Sequence, residues 1–159
     1  MDSLVDILST RRGGPSDSSR CHAALFFSNG RILSYGENRP RGMSSVSTRG
    51  RSPPRPAFPT VHAECDAMNK LPPRSSRGRR THLDLLVVRV NRGGTVGSSR
   101  PCAHCVQALQ DLPRRGYILD NVHYSDQNVI KTEKFSDLVT GPQHLGAFFV
   151  DRQKNGSAG

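Results

Sequence analysis

Long apolar runs are missing from this 159-residue chain. No stretch reaches the ~18 apolar residues that a membrane span needs. The start, "MDSLVDILSTRRGG", carries Asp2 and Asp6 and too short an apolar run for a secretory signal. The expectation is an intracellular protein, cytoplasmic or nuclear, with no membrane association. Acidic residues are scarce as well: 13 Asp and Glu stand against 23 Lys and Arg, a formal charge of +10. Such a balance points towards a polyanionic partner. The cations are overwhelmingly Arg, however, and Gly, Pro, Ala and Ser are plentiful, which a GC-rich genome produces without any partner. Only four cysteines are present, Cys21, Cys65, Cys102 and Cys105. With no export signal their thiols stay reduced, so a close pair reads as a metal or redox site before it reads as a disulfide. No internal repeat is visible, and the length fits one domain with a real core.

The pattern of elements follows from what remains. Leu4, Ile7 and Leu8 share one face of a short helix over 3–10. "CHAALFFSNGRILSYGEN" reads as two strands around the Asn29-Gly30 hairpin dipeptide. Residues 39–59 and 73–80 hold Pro, Gly, Ser and Arg with almost nothing to bury, and read as loops or disordered insertions. A helix over 62–71 is stopped by Pro72-Pro73. "HLDLLVVRV" is the nearly continuous apolar run of a central strand covered on both faces. "RPCAHCVQALQDL" makes a helix with Pro101 in its first turn. "YILDNVHYSD" and "VIKTEKFSDL", about a turn at Gln127-Asn128, make two strands, or a strand and then a helix. Residues 151–159 read as a disordered tail. Helices alternating with strands predict an α/β fold, a three-layer α/β/α sandwich around a mixed five-stranded sheet, in a single domain over 1–150.

Two helix starts carry the chemistry. Cys102 and Cys105 are spaced C-x-x-C at the start of one helix, where residues three apart share a face and both sulfurs reach one ion. The helix N-terminus favours the thiolates that a metal requires. No thioredoxin-like pattern accompanies the pair, which weakens a redox reading. His62 opens the other helix and adds a nitrogen. Three protein ligands leave open the fourth position of the zinc tetrahedron, as a catalytic zinc does for water. Glu64, two residues from His62, is the carboxylate placed to move protons. Cys21 and Cys65 read as small core residues, and His104 as a residue pointing away from the metal face.

At "HAE", 62–64, and "PCAHC", 101–105, the chain resembles the zinc-dependent cytidine deaminase superfamily, whose signature is H-x-E with P-C-x-x-C. The order of elements over roughly 3–140 is similar too. The resemblance implies hydrolytic deamination, with water activated by one zinc ion attacking C4 of cytosine or C6 of adenine while Glu64 shuttles protons. It also implies that Asn38 meets the sugar or base, although "GEN" makes a plain turn as well. The Ala63 backbone N–H and the carbonyls before Pro101 would frame the base edge. Two positions depart from the family: Asp66 stands where Asn is common, and Arg100 precedes Pro-Cys where relatives often have a small polar residue or a carboxylate. Arg100 at the pocket lip would meet a phosphate or lean into solvent. Tyr124 would stack on a base or pack in its strand.

The substrate branch is less legible. His62 in place of a ligand Cys resembles the deoxycytidylate, tRNA-adenosine and polynucleotide branches. An antiparallel hairpin over the last two strands resembles the free-nucleoside and bacterial toxin-type branches. The Arg-rich loops would suit a single strand of DNA or RNA, but no aromatics are interleaved for stacking. Three functions stay open: deamination of cytosine in a free nucleoside or nucleotide, deamination of cytosine (or adenine) in single-stranded nucleic acid or tRNA, and a non-catalytic zinc-stabilised binding module. The apolar stretch "HLGAFFV", 144–150, would serve a homo-oligomer interface or cap the core.

Overall fold

A computed structural model describes residues 20–40, 60–74, 78–91 and 94–144. The expected helix over 3–10, Cys21's packing, residues 41–59 and 75–77 of the Arg-rich loops, the 145–150 segment and the tail lie outside the described residues.

The first hairpin forms where its dipeptide places it. Strand β1 (Arg20–Ser28) and strand β2 (Arg31–Glu37) pair antiparallel. Asn29 and Gly30 between them both take positive φ, 49° and 75°, as a two-residue turn of this hand demands. The insertion that follows is closed at its base by a two-stranded ribbon, β3 (Arg39–Pro40) against β4 (Thr60–Val61). That pairing corrects a purely loop-like reading of 39–59. Helix α1 (Ala63–Asn69) ends before Pro72-Pro73. Strand β5 (Thr81–Asn91) follows, then the short β6 (Val96–Gly97), helix α2 (Ala103–Leu109) and a 3-10 turn over Leu112–Arg115. Strands β7 (Tyr117–Asp126) and β8 (Val129–Lys134) and helix α3 (Phe135–Thr140) complete the described chain. The two alternatives for the last apolar stretches are therefore both partly right: two strands, then a helix.

The result is a mixed α/β fold around one main sheet of six strands, in the order β2-β1-β5-β7-β8, with β6 folded back on β5. The expected fifth-strand count misses only β6, whose two residues pair with Arg89 and Val90. β5 and β7 run parallel, and every other pair in the sheet is antiparallel. β5 is central as its apolar run predicts. Its two faces differ, however: Leu83, Leu85 and Val87 are fully buried, whereas His82 is exposed and Asp84 and Leu86 are half-covered.

The buried face and the three helices build one core. Phe26, Leu85, Val87, Val122 and Tyr124 from the sheet meet Ala67, Met68, Leu109, Leu112 and Leu138. The opposite face carries a small cluster of Ala23 and Val88 with Tyr35, Leu86, Val90 and Val96 at its border. Among the described residues the molecule therefore has a sheet layer and one helical layer. Small residues bring α1 down onto the sheet. A Cβ at Gly36 would lie 2.2 Å from Ala67 N and 2.4 Å from Ala63 O, so only glycine allows the helix backbone to ride directly on β2.

Candidate functional site

Both segments of the candidate metal group enter the core side of the sheet at helix N-termini. His62 is the N-cap of α1, with extended backbone (φ −70°, ψ 150°), and Cys102 is the N-cap of α2 (φ −77°, ψ 162°). Pro101 thus sits just outside α2 rather than in its first turn, because Cys102 takes the capping position. Their carbonyls accept the first helical bonds, from Asp66 N at 3.0 Å and Val106 N at 2.9 Å. Neither side chain makes a cap hydrogen bond, which leaves imidazole and thiol free for other partners.

Those side chains converge. His62 Nδ1 lies 3.1 Å from Cys105 Sγ and 3.5 Å from Cys102 Sγ. The ligand atoms of His62, Cys102 and Cys105 all fall within 4.8 Å of one another, a group that could hold a metal ion. The expected three residues come together, forty apart in sequence. Hydrogen bonding within the group, first from Cys105 and then from His62, holds the Cys102 thiol down to about 3. The same contact with Cys102 lifts His62 to about 9, and Cys105 is pushed up, since its proton serves Cys102. The two shifts run in the direction that favours the Cys102 thiolate over that of Cys105.

Glu64, in the first turn of α1, is 1 % exposed, and its Oε2 has no hydrogen-bond partner among the described residues. Burial raises its pKa. It lines a cavity of about 180 Å³ together with His62, Cys102, Asn38 and Arg100. Ala63 is fully buried and is not part of that lining. Asn38 hangs from the end of β2, its N–H donating to His22 O at 2.9 Å.

Arg100 reaches the lining already engaged. Its Nε and Nη2 donate to the two carboxylate oxygens of Glu133 at 3.3 and 3.2 Å, and Nη1 donates to Pro142 O at 3.0 Å. The Tyr124 hydroxyl also donates to Glu133. Tyr124 is buried and lies outside the cavity lining, so Glu133 gathers both residues into one cluster beside the site.

Several neighbours carry no signal in the sequence. His22, Thr60, Arg89 and His144 line the same cavity, as do Ser98 and Ser99. His22 and Arg89 are 67 residues apart in the chain and become cross-strand partners only through the β1–β5 register. Ser99 is identifiable only from its contacts: its Oγ lies 2.8 Å from both Val87 O and Ser125 Oγ, and its N donates to Ser125 O. This buried network fixes the segment leading into Pro101. The Ala103 N–H donates to His144 O at 2.8 Å, which brings the end of the described chain over α2.

Two other readings change. Cys65 is half-buried rather than sealed in the core, and His104 does not simply turn away. With Cys105 they form a second group of ligand atoms within 4.8 Å of one another. Asp66 is 1 % exposed, receives the Glu37 N–H at 3.2 Å, and is paired with Arg39 and with Lys70 at 2.6 Å. The carboxylate at this position thus ties α1 to β2 and to the root of the insertion.

No family model matches this chain, and no curated protein is significantly similar to it.

Proposed function

We propose that this chain is a zinc-dependent hydrolytic deaminase of cytosine in a nucleoside or nucleotide. The observation that carries the reading is the cluster of His62, Cys102 and Cys105, two of which line one cavity together with the buried, half-unpartnered carboxylate of Glu64. The donor set fits zinc: one imidazole and two thiols are borderline-soft ligands that suit zinc and leave a position free. His62, Cys102 and Cys105 would hold the ion, and zinc, when bound, supplies a Lewis acid that brings water towards ionisation at neutral pH.

The chain's own residues do the rest. Glu64 accepts one water proton and delivers it to the ring nitrogen, where it stays; it then takes the second proton from the newly added oxygen and passes it to the amine nitrogen, which leaves as ammonia. The burial of Glu64 suits that task, because desolvation raises its pKa, the direction in which a carboxylate becomes a better proton acceptor. Asn38 holds the sugar or base at the cavity wall. The antiparallel β7–β8 pair supports the free-nucleoside and bacterial toxin-type branches over the nucleic-acid editors, in which a helix usually separates the last two strands. The three-layer arrangement of that superfamily belongs to the proposal as well: the half-open face around Ala23 and Val88 is where a second helical layer would pack.

Zinc-loaded protein incubated with cytidine, deoxycytidine, CMP, dCMP, adenosine and C- or A-bearing single strands tests this. Mass spectrometry reads the gain of roughly one dalton when amine becomes carbonyl, with Glu64→Ala as blank. A gain in the cytosine monomers is expected. A gain confined to strands would move the protein to the nucleic-acid branch, and no gain at all would leave a zinc-stabilised binding module.

A further inference from the structure

The cavity has two arginines and they are in different states. Arg100 spends its donors on Glu133 and Pro142. Among the described residues no hydrogen bond or ion pair engages the Arg89 guanidinium; only the Arg89 backbone N–H is used, towards Ser125 Oγ. Glu64 is the only acid among the described lining residues, and it stands at the metal ligands. Arg89 is half-buried on the same sheet face as Leu85 and Val87, so it points into the site side of the molecule. A half-buried cation without an anion is an incomplete arrangement, since buried charges are ordinarily paired.

The surroundings say which anion completes it. His22 lies directly across the β1–β5 pair from Arg89, and burial, then the charges of His62 and Arg89, lower its pKa to about 4. At neutral pH it is thus an uncharged neighbour whose buried Nε2 has no partner. Thr60, Asn38 and Ser98 add hydroxyl and amide donors to the same wall. A guanidinium flanked by neutral donors suits a phosphoryl group, whose several oxygens accept from all of them. Ser99, just before the candidate ligand Cys102 in sequence, bonds Val87 O, and Arg89 is two residues further along that strand, about 7 Å from Val87. Glu64 and Arg89 line the same cavity, so one nucleotide seated in it meets both.

We infer that Arg89, with His22 and Ser98 beside it, is a phosphate subsite, so that the substrate of this cavity is a nucleotide rather than a bare nucleoside. The inference rests on the deaminase reading for the base but not for the anion. The phosphate can belong to a free nucleotide or to a strand, and the experiment separates the two.

Zinc-loaded Glu64→Gln protein, which holds substrate without consuming it, is titrated with cytidine, CMP, a short oligodeoxycytidylate and inorganic phosphate alone. Calorimetry gives affinity and phosphorus NMR reports the phosphate itself. CMP is expected to bind roughly ten- to a hundredfold more tightly than cytidine, the scale of charge-assisted hydrogen bonds. Arg89→Gln should erase that ratio and Arg89→Lys keep part of it, with melting curves showing that both variants fold. Preference for the oligonucleotide over CMP, lost in the same variant, assigns the subsite to a strand phosphate. Phosphate binding that depends on Arg89 without any cytosine selectivity supports the subsite and sinks the deaminase reading. Equal binding of CMP and cytidine, or a ratio that survives Arg89→Gln, overturns the subsite and leaves the deaminase reading standing. If neither phosphate nor any cytosine ligand binds, both fall.

Discussion

Glu64 has one carboxylate oxygen with nothing to hold and a burial that favours its protonated form. Glu64→Gln should keep the metal, because Glu64 is not among the clustered ligands, while lowering kcat by roughly 10²–10⁴, the usual loss for a general acid-base. Metal content and turnover, measured on one preparation, check both halves. His22 gives a prediction in pH. Its pKa is lowered from 6.5 to about 4, so below pH 6.5 the unfolded chain takes a proton that the folded chain refuses. Stability contributed by His22 is complete above about 6.5 and is lost as pH falls towards 4, by about 3 kcal/mol at most. Melting temperatures across that range should fall less steeply for His22→Asn than for the wild type. Asp66→Asn should cost about 1–2 kcal/mol, below the figure for a fully buried pair because Arg39 and Lys70 are partly in water. Chemical denaturation measures it. At this scale the convergence of His62, Cys102 and Cys105, with Glu64 at the same cavity, was legible because each half of the pattern is local, H-x-E and C-x-x-C. His22 and Arg89 were not, since only strand register joins them.

Elements obey the same division between local and distant causes. Asn29-Gly30 announces its hairpin, and Pro72-Pro73 announces the end of α1, because a turn's φ and a helix's missing donor are set within a few residues. The turn at Gln127 and Asn128 is built with two non-glycine residues at positive φ, 48° and 67°, a weaker signal of the same kind. Gly36 lies at the other extreme. Within "SYGEN" it reads as part of a turn, yet it is inside β2 and its missing side chain admits the α1 backbone. Gly36→Ala should cost about 3 kcal/mol or more, since backbone and not a flexible side chain must move. As α1 carries His62 and Glu64, metal affinity should fall with it. A thermal melt alongside a competitive zinc titration would show the two losses together; an alanine tolerated in both would mean that α1 does not bear on β2.

For the whole molecule, the sheet order and the face that receives the helices place the candidate metal group over one end of the core. A chelator should lower the melting temperature, with recovery on adding zinc but not magnesium, because imidazole and thiol donors suit the softer ion. One metal per chain is the expected stoichiometry by elemental analysis. The charge of +10 is legible in composition alone, but its purpose is not, because the basic segments around 41–55 carry no pattern beyond charge. Deleting 41–55 should weaken only binding to strands, with a reduced salt slope, and spare cytidine; equal loss on cytidine would remove any groove from that segment.

His62 and Cys102 stand 40 residues apart, and the chain between them includes all of β5, the strand on which the sheet is built. An ion shared by the two ends is therefore a crosslink as well as a reagent. Closing a loop of that length removes unfolded-chain entropy worth about 4 kcal/mol in the loop-closure account. Metal supply during synthesis would then govern how much protein survives, before it governs how fast that protein works.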